Sequence, residues 1–149
     1  MKRYVLAVLA YLVPTFTLGY VWHLVRVQSY YEALAIYRRD VIIPFGFLSV
    51  LIQAVIFAWM SDKAFAGAGG SLLFRTWRYG VVGAALSWSF TTLAVSAKNL
   101  MASVPDYPLI ETAFTTVQWA LVAPLTILAL QSHDLRRVDA ADENPIAAA

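Results

Sequence analysis

The sequence predicts an all-α fold, an integral membrane four-helix bundle, and three observations carry that prediction. First, four long stretches, Tyr4–Val25, Val41–Met60, Tyr79–Ala97 and Ala113–Leu130, contain no Asp, Glu, Lys or Arg. A helix of about 20 apolar residues crosses a hydrocarbon core about 30 Å thick. Second, 60% of the 149 residues are hydrophobic and only 13% are charged, a balance outside that of soluble domains. Third, the stretches are continuously apolar. Lipid offers the backbone no hydrogen-bond partners, so only helices and closed barrels span it. Barrel strands alternate apolar and polar residues over about 10 positions, and these stretches do not. One transmembrane domain is expected over residues 1–130, followed by a disordered cytoplasmic tail over 131–149. That tail turns from basic (Arg136, Arg137) to acidic (Asp139, Asp142, Glu143) and carries no aromatic residue.

The first span holds Pro14 near its centre, where the missing amide N–H predicts a bend; Thr15 and Thr17 stand beside it to satisfy freed carbonyls. It closes on Tyr20, Trp22 and His23, rings suited to a membrane interface. Beyond it, Tyr30, Ala33, Leu34 and Tyr37 fall at helical spacing. They predict a short interfacial helix that anchors in the headgroups or covers an outward-facing cavity. The second span opens with Pro44 in its first turn and carries Ser49 and Gln53. The glycine-rich run Ala66–Ser71 is a flexible turn without the lysine spacing of a phosphate-binding loop.

The third span is the most patterned. At about 100° per residue, Gly80, Gly83, Ala84, Ser87, Thr91 and Ala94 share one face, while Ala85, Ser89, Thr92 and Ser96 form a second. Val82, Leu86, Phe90 and Leu93 make a third, large and apolar. Small residues let helices approach closely in lipid, and hydroxyls bond across the gap. The third span is therefore expected at the centre of the packing, with Gly80, Gly83, Ala84, Ser87 and Thr91 as its helix-packing face. Trp88 at mid-span needs a buried partner for its indole N–H. The fourth span carries Thr115, Thr116, Gln118 and Trp119, then Pro124.

Charge placement gives a topology. Alternating the connections puts Lys2, Arg3, Lys63, Arg75, Arg78, Arg136 and Arg137 on one side, and only Arg26, Arg38, Arg39 and Lys98 on the other. Basic residues accumulate on the cytoplasmic side, so both termini are expected in the cytoplasm. The net charge of +2 is spread along the span ends and gives no reason to invoke nucleic acid. With no cysteine, thiol catalysis, disulfides and cysteine-held metals are excluded. Lys2 and Arg3 ahead of an apolar run imitate a signal peptide, but the run is long and lacks a clear cleavage site, so it is read as an uncleaved first span.

Little in the sequence points to catalysis. The two histidines, His23 and His133, belong to opposite sides and cannot share a metal or clamp one haem. His23 lies on the same side as Glu32, Asp40, Asp106 and Glu111, yet no two of these have a recognised ligand spacing. No charged residue stands at mid-span, where proton and ion pathways are usually marked, and no hydrolase signature occurs. No catalytic, cofactor-binding or metal-ligating residue is assigned, and no cofactor is expected. The polar residues within the spans favour the outer half. His23, Ser49, Thr92, Ser96, Thr116 and Gln118 are the candidates for an outward polar pocket, set against simple hydrogen bonding between helices.

The segments Leu18–His23, Ile43–Phe47 and Leu86–Thr92 resemble small four-span bacterial membrane proteins grouped as a domain of unknown function. The resemblance implies a bacterial inner-membrane location and a four-helix fold, and supplies no activity. Two functions follow as expectations. One is an accessory or structural subunit that packs through the third span, within the lipid bilayer, against its own copies or a larger membrane complex. The other is an outward-facing transporter or sensor of a small molecule, working as a homo-oligomer.

Overall fold

Apolar runs that can satisfy their backbone only internally form helices, and this chain is all-helical, with no strand among its described residues. The structure is a computed structural model that describes residues 2–38, 40–66 and 69–143, with side chains for all of these except 66 and 132–143. In chain order the helices are α1 (Lys2–Val21), α2 (Gln28–Ala33), α3 (Ile43–Met60), α4 (Leu72–Trp88), α5 (Ala94–Lys98) and α6 (Asp106–Glu143). Three wider π turns, Trp22–Arg26, Ser61–Ala66 and Ser89–Leu93, extend α1 and α3 and join α4 to α5. Four stretches are long and apolar enough to cross a membrane: Lys2–Arg26, Ile43–Phe65, Leu72–Lys98 and Asp106–Gln131.

The last two begin seven residues earlier than the apolar pattern suggests. Ser71 caps α4, its hydroxyl accepting from the Phe74 N–H at 3.2 Å, so Arg75 and Arg78 lie inside the helix. Pro108 falls in the first turn of α6, where proline is tolerated, and the helix thereby takes in Glu111. α6 is helical to Glu143; the tail expected over 131–149 falls mostly where side chains, and then residues 144–149 altogether, lie outside the described residues.

The packing centre is α6, which corrects the expectation for the third span. α6 meets α1 and α4, and α1 also meets α3. Within the spanning windows, 44% of the fourth stretch is buried against 11% of the third. The sequence of α6 accounts for this. Trp119, Val122, Ala123, Thr126, Ile127 and Leu130 are all buried and fall at i, i+3, i+4, i+7, i+8 and i+11, a broad stripe that two neighbours can share. Trp119 meets Tyr11, Phe57 and Tyr79 at ring separations of 5.7, 4.8 and 5.4 Å, joining α1, α3 and α4 around one ring.

The small face of α4 turns toward α6. Gly83 lies under the Trp119 ring and Gly80 against Ala123, Ala84 packs on the core, and Ser87 Oγ accepts from Trp119 Nε1 at 3.2 Å. Thr91 departs from this face: it is exposed, and Thr92 is buried in its place. The π turn at Ser89–Leu93 is the cause. Its i→i+5 bonding widens the helix, so the buried position after Ser87 comes five residues on. Trp88 does find a partner, donating from Nε1 to Thr112 Oγ1 at 2.8 Å.

Candidate functional site

The ends of α1 and α6 and the segment between α1 and α3 meet in one polar and aromatic cluster. The π turn Trp22–Arg26 closes with the Val27 N–H on the Trp22 carbonyl at 3.0 Å and carries His23. Next, α2 lies across the bundle end and buries Tyr31 completely. The helix stops at Ala35, whose φ of 56° is left-handed, and the Ala102 N–H ties the Leu34 carbonyl at 3.0 Å. That reversal brings Tyr37 back over the ring of Tyr31, stacked at 4.8 Å with planes 7° apart.

Beneath this cover sits Glu111, only 4% exposed. A buried carboxylate is costly unless it is hydrogen-bonded. Tyr31 donates its hydroxyl to Glu111 Oε1 at 2.7 Å, and His23 Nδ1 lies 3.8 Å from the same oxygen. The Tyr37 hydroxyl is 2.9 Å from His23 Nδ1. The imidazole is held between Tyr31 and Phe114, at 4.9 and 4.6 Å. Burial, and then the Glu111 carboxylate beside it, push the Tyr31 phenol above its ordinary range, which keeps it a neutral donor. A carboxyl, an imidazole and two phenols within a few ångströms can pass a proton by small side-chain movements. A cavity of about 540 Å³ adjoins the cluster, lined in part by Leu24, Gln28, Glu32, Tyr37 and Arg38. Tyr37 is the residue common to both. Among the described residues, no three His, Asp or Glu side chains gather as a metal site would require.

The six candidates for a polar pocket separate into different places. His23 belongs to the cluster just described. Ser49 and Gln118 belong to a chain across the bundle: Gln53 donates to Ser49 at 3.5 Å, Tyr11 donates to Gln53 at 3.3 Å, and Gln118 donates to Tyr11 and to Thr15, both at 3.4 Å. Thr15, placed in the sequence as a partner for carbonyls freed by Pro14, serves instead as an acceptor for Gln118. Thr116 is exposed and spends its hydroxyl on the Thr112 carbonyl at 2.8 Å. Thr92 is fully buried, its hydroxyl without a hydrogen-bond partner, and Ser96 donates to the Thr92 carbonyl at 2.7 Å. The structure thus does not gather these six around one cavity.

The sequence pattern puts Glu111 on the His23 side but outside the fourth span, Ala113–Leu130, and does not single out Tyr31 as its donor. The signal was present: Tyr107, Glu111, Thr115 and Gln118 run at helical spacing into the fourth span. No protein-family model, curated protein or solved structure matches the chain.

Proposed function

We propose that this chain is a multi-pass protein of the bacterial inner membrane, with both termini in the cytoplasm, and that its outward end is a small-molecule sensing or transport site used in a homo-oligomer. The observation that carries this reading is the Glu111 carboxyl, buried under the α2 cover with Tyr31 and His23, beside a cavity that shares Tyr37 with it. Burying an acid here would bring nothing to a purely structural bundle end, where an apolar residue would pack at lower cost. The cavity wall offers a carboxylate, a guanidinium, an amide and apolar side chains, which suits a small amphipathic molecule. A ligand that displaces Tyr37 removes the hydroxyl partner of His23 and reaches Glu111 in one step.

The test is a thermal-shift panel of small amphipathic compounds on the protein in lipid nanodiscs. A hit should lose most of its protection in Glu111→Gln and in Tyr37→Phe. No stabilising compound, or full protection in both variants, would remove the reading. Because the chain has no cysteine, single replacements such as Lys63→Cys and Lys98→Cys report sidedness without background. Labelling of Lys98→Cys from the outside, and of Lys63→Cys only after permeabilisation, is the expected result.

A second reading, an accessory subunit packing through α4, has an observation of its own. The small face of α4 is taken by α6, but Leu73, Trp77, Val81, Leu86 and Phe90 remain exposed along the helix. An interaction through α4 would use this large apolar face. Leucine at Ser87 would then disturb the bundle itself, and polar replacement of Trp77 and Phe90 would disturb the assembly.

A further inference from the structure

At the end remote from His23, an apolar groove of about 400 Å³ runs between α1 and α3, lined in part by Tyr4, Val5, Leu9, Leu12, Val55 and Trp59. Its walls are almost wholly hydrocarbon and aromatic, and its mouth is cationic. On α1, Lys2, Val5, Leu9 and Leu12 follow one helical stripe, so the groove wall ends in an exposed lysine. On the other wall the chain passes from Trp59 into the π turn that carries Asp62 and Lys63. The Tyr4 hydroxyl, at the groove's edge, donates to Asp62 Oδ2 at 2.5 Å. Arg3 reaches Asp62 Oδ1 at 3.0 Å and Lys63 reaches Oδ2 at 3.7 Å. Among the described residues, that carboxylate meets two cations, Arg3 and Lys63, and the exposed Lys2 adds a third positive charge at the end of the α1 stripe.

The dimensions agree with one ligand class. Ten residues of helix from Lys2 to Leu12 span about 15 Å, half of a hydrocarbon core about 30 Å thick, which is the depth of one leaflet. Tyr4 and Trp59 lie at the level where amphipathic rings favour the interface. Anionic lipid headgroups attract basic residues at the membrane surface. We infer that this groove is a binding site for one anionic phospholipid, an acyl chain lying along Val5, Leu9 and Val55 and the phosphate at Lys2 and Lys63. The inference rests on the reading that the chain spans a membrane, and is independent of the His23 end.

The test is native mass spectrometry of the full chain in detergent, offered phosphatidylglycerol and phosphatidylethanolamine in equal amounts. One retained phosphatidylglycerol per chain is expected, preferred about 10-fold or more. The Lys2→Gln/Lys63→Gln variant should lose that preference while still binding both lipids weakly. Leu9→Trp, which fills the groove, should lower retention of both. Equal retention of the two lipids by the unaltered chain would overturn the inference, as would a preference that survives the double lysine variant. Release of the chain from membranes by alkaline carbonate without detergent would instead overturn the spanning reading. A detergent-dependent chain without lipid preference would sink the groove site alone.

Discussion

Replacing Gly83 with alanine probes the helix contact on which the bundle closes. A Cβ at Gly83 would stand 2.0 Å from the Trp119 ring, deep in overlap. The ring cannot withdraw freely, because Tyr11, Phe57 and Tyr79 surround it and its Nε1 is held by Ser87 Oγ. Forcing extra volume into a packed core costs about 1–3 kcal/mol. Losing the Trp119–Ser87 hydrogen bond adds under about 1 kcal/mol, given its worth between helices in lipid. The gain in helix propensity from glycine to alanine returns about 1 kcal/mol. The last two nearly cancel, so a net loss of about 1–3 kcal/mol is expected. Two other glycines supply the comparison. A Cβ at Gly80 would meet that of Ala123 at 3.2 Å, which a shift of a few tenths of an ångström relieves, and one at Gly46 meets nothing within 4 Å. Reversible unfolding in mixed micelles should rank Gly83→Ala below Gly80→Ala, with Gly46→Ala above both and up to about 1 kcal/mol more stable than the parent. In a Trp119→Leu background most of the Gly83→Ala penalty should vanish, a coupling that a double-mutant cycle reads directly. If Gly83→Ala matches the parent, or keeps its full cost without Trp119, the close contact of α4 with α6 is not what holds them together.

Other expectations follow from single residues. Ala35→Gly should stabilise the protein by about 1 kcal/mol, because the left-handed conformation at φ 56° penalises a Cβ; Ala35→Val should destabilise it in the same unfolding assay. Tyr31, whose phenol is raised in the folded state, ordinarily ionises near pH 10. Its contribution is whole below about pH 10 and is lost as pH climbs from there toward the folded value, because the unfolded chain gives up the proton first. Unfolding midpoints between pH 8 and 11 should therefore fall less steeply in Tyr31→Phe than in the parent. Gln118→Leu, which takes the donor from both Tyr11 and Thr15, should cost under about 2 kcal/mol and leave the His23 cluster's ligand response intact.

The helices were legible because each is an uninterrupted apolar run, and hydrocarbon permits such a run few other conformations. Their starts were less so. A charge-free window ends at Arg78 and Glu111, whereas capping by Ser71 and the tolerance of Pro108 in a first turn carry α4 and α6 past those charges. The rank of the helices was misread for a different reason. Small residues on the third span show where a neighbour can come close, but how much surface is buried depends on the neighbour, and here the large ring, Trp119, is carried by α6. Thr91 and Thr92 exchanged roles because a constant 100° step cannot foresee the π turn at Ser89–Leu93. The cluster around Glu111 was legible only in part. His23 was singled out and Glu111 noted beside it in general terms, yet the cover over them depends on the left-handed turn at Ala35 that brings Tyr37 back over Tyr31, which no periodicity announces.

The helix on which α1 and α4 both rest is made after both of them. During synthesis α1, α3 and α4 leave the ribosome with their inward faces bare of Trp119, Val122 and Ile127, and chains generally fold in the order in which they emerge. Until Asp106–Gln131 arrives, Gly83 has no Trp119 ring to lie against. The Glu111 carboxyl enters only at that moment, already facing the tyrosine that will neutralise its isolation. A chain stopped before α6 would keep the α1–α3 contact but would lack both the Trp119 centre and the Glu111 site.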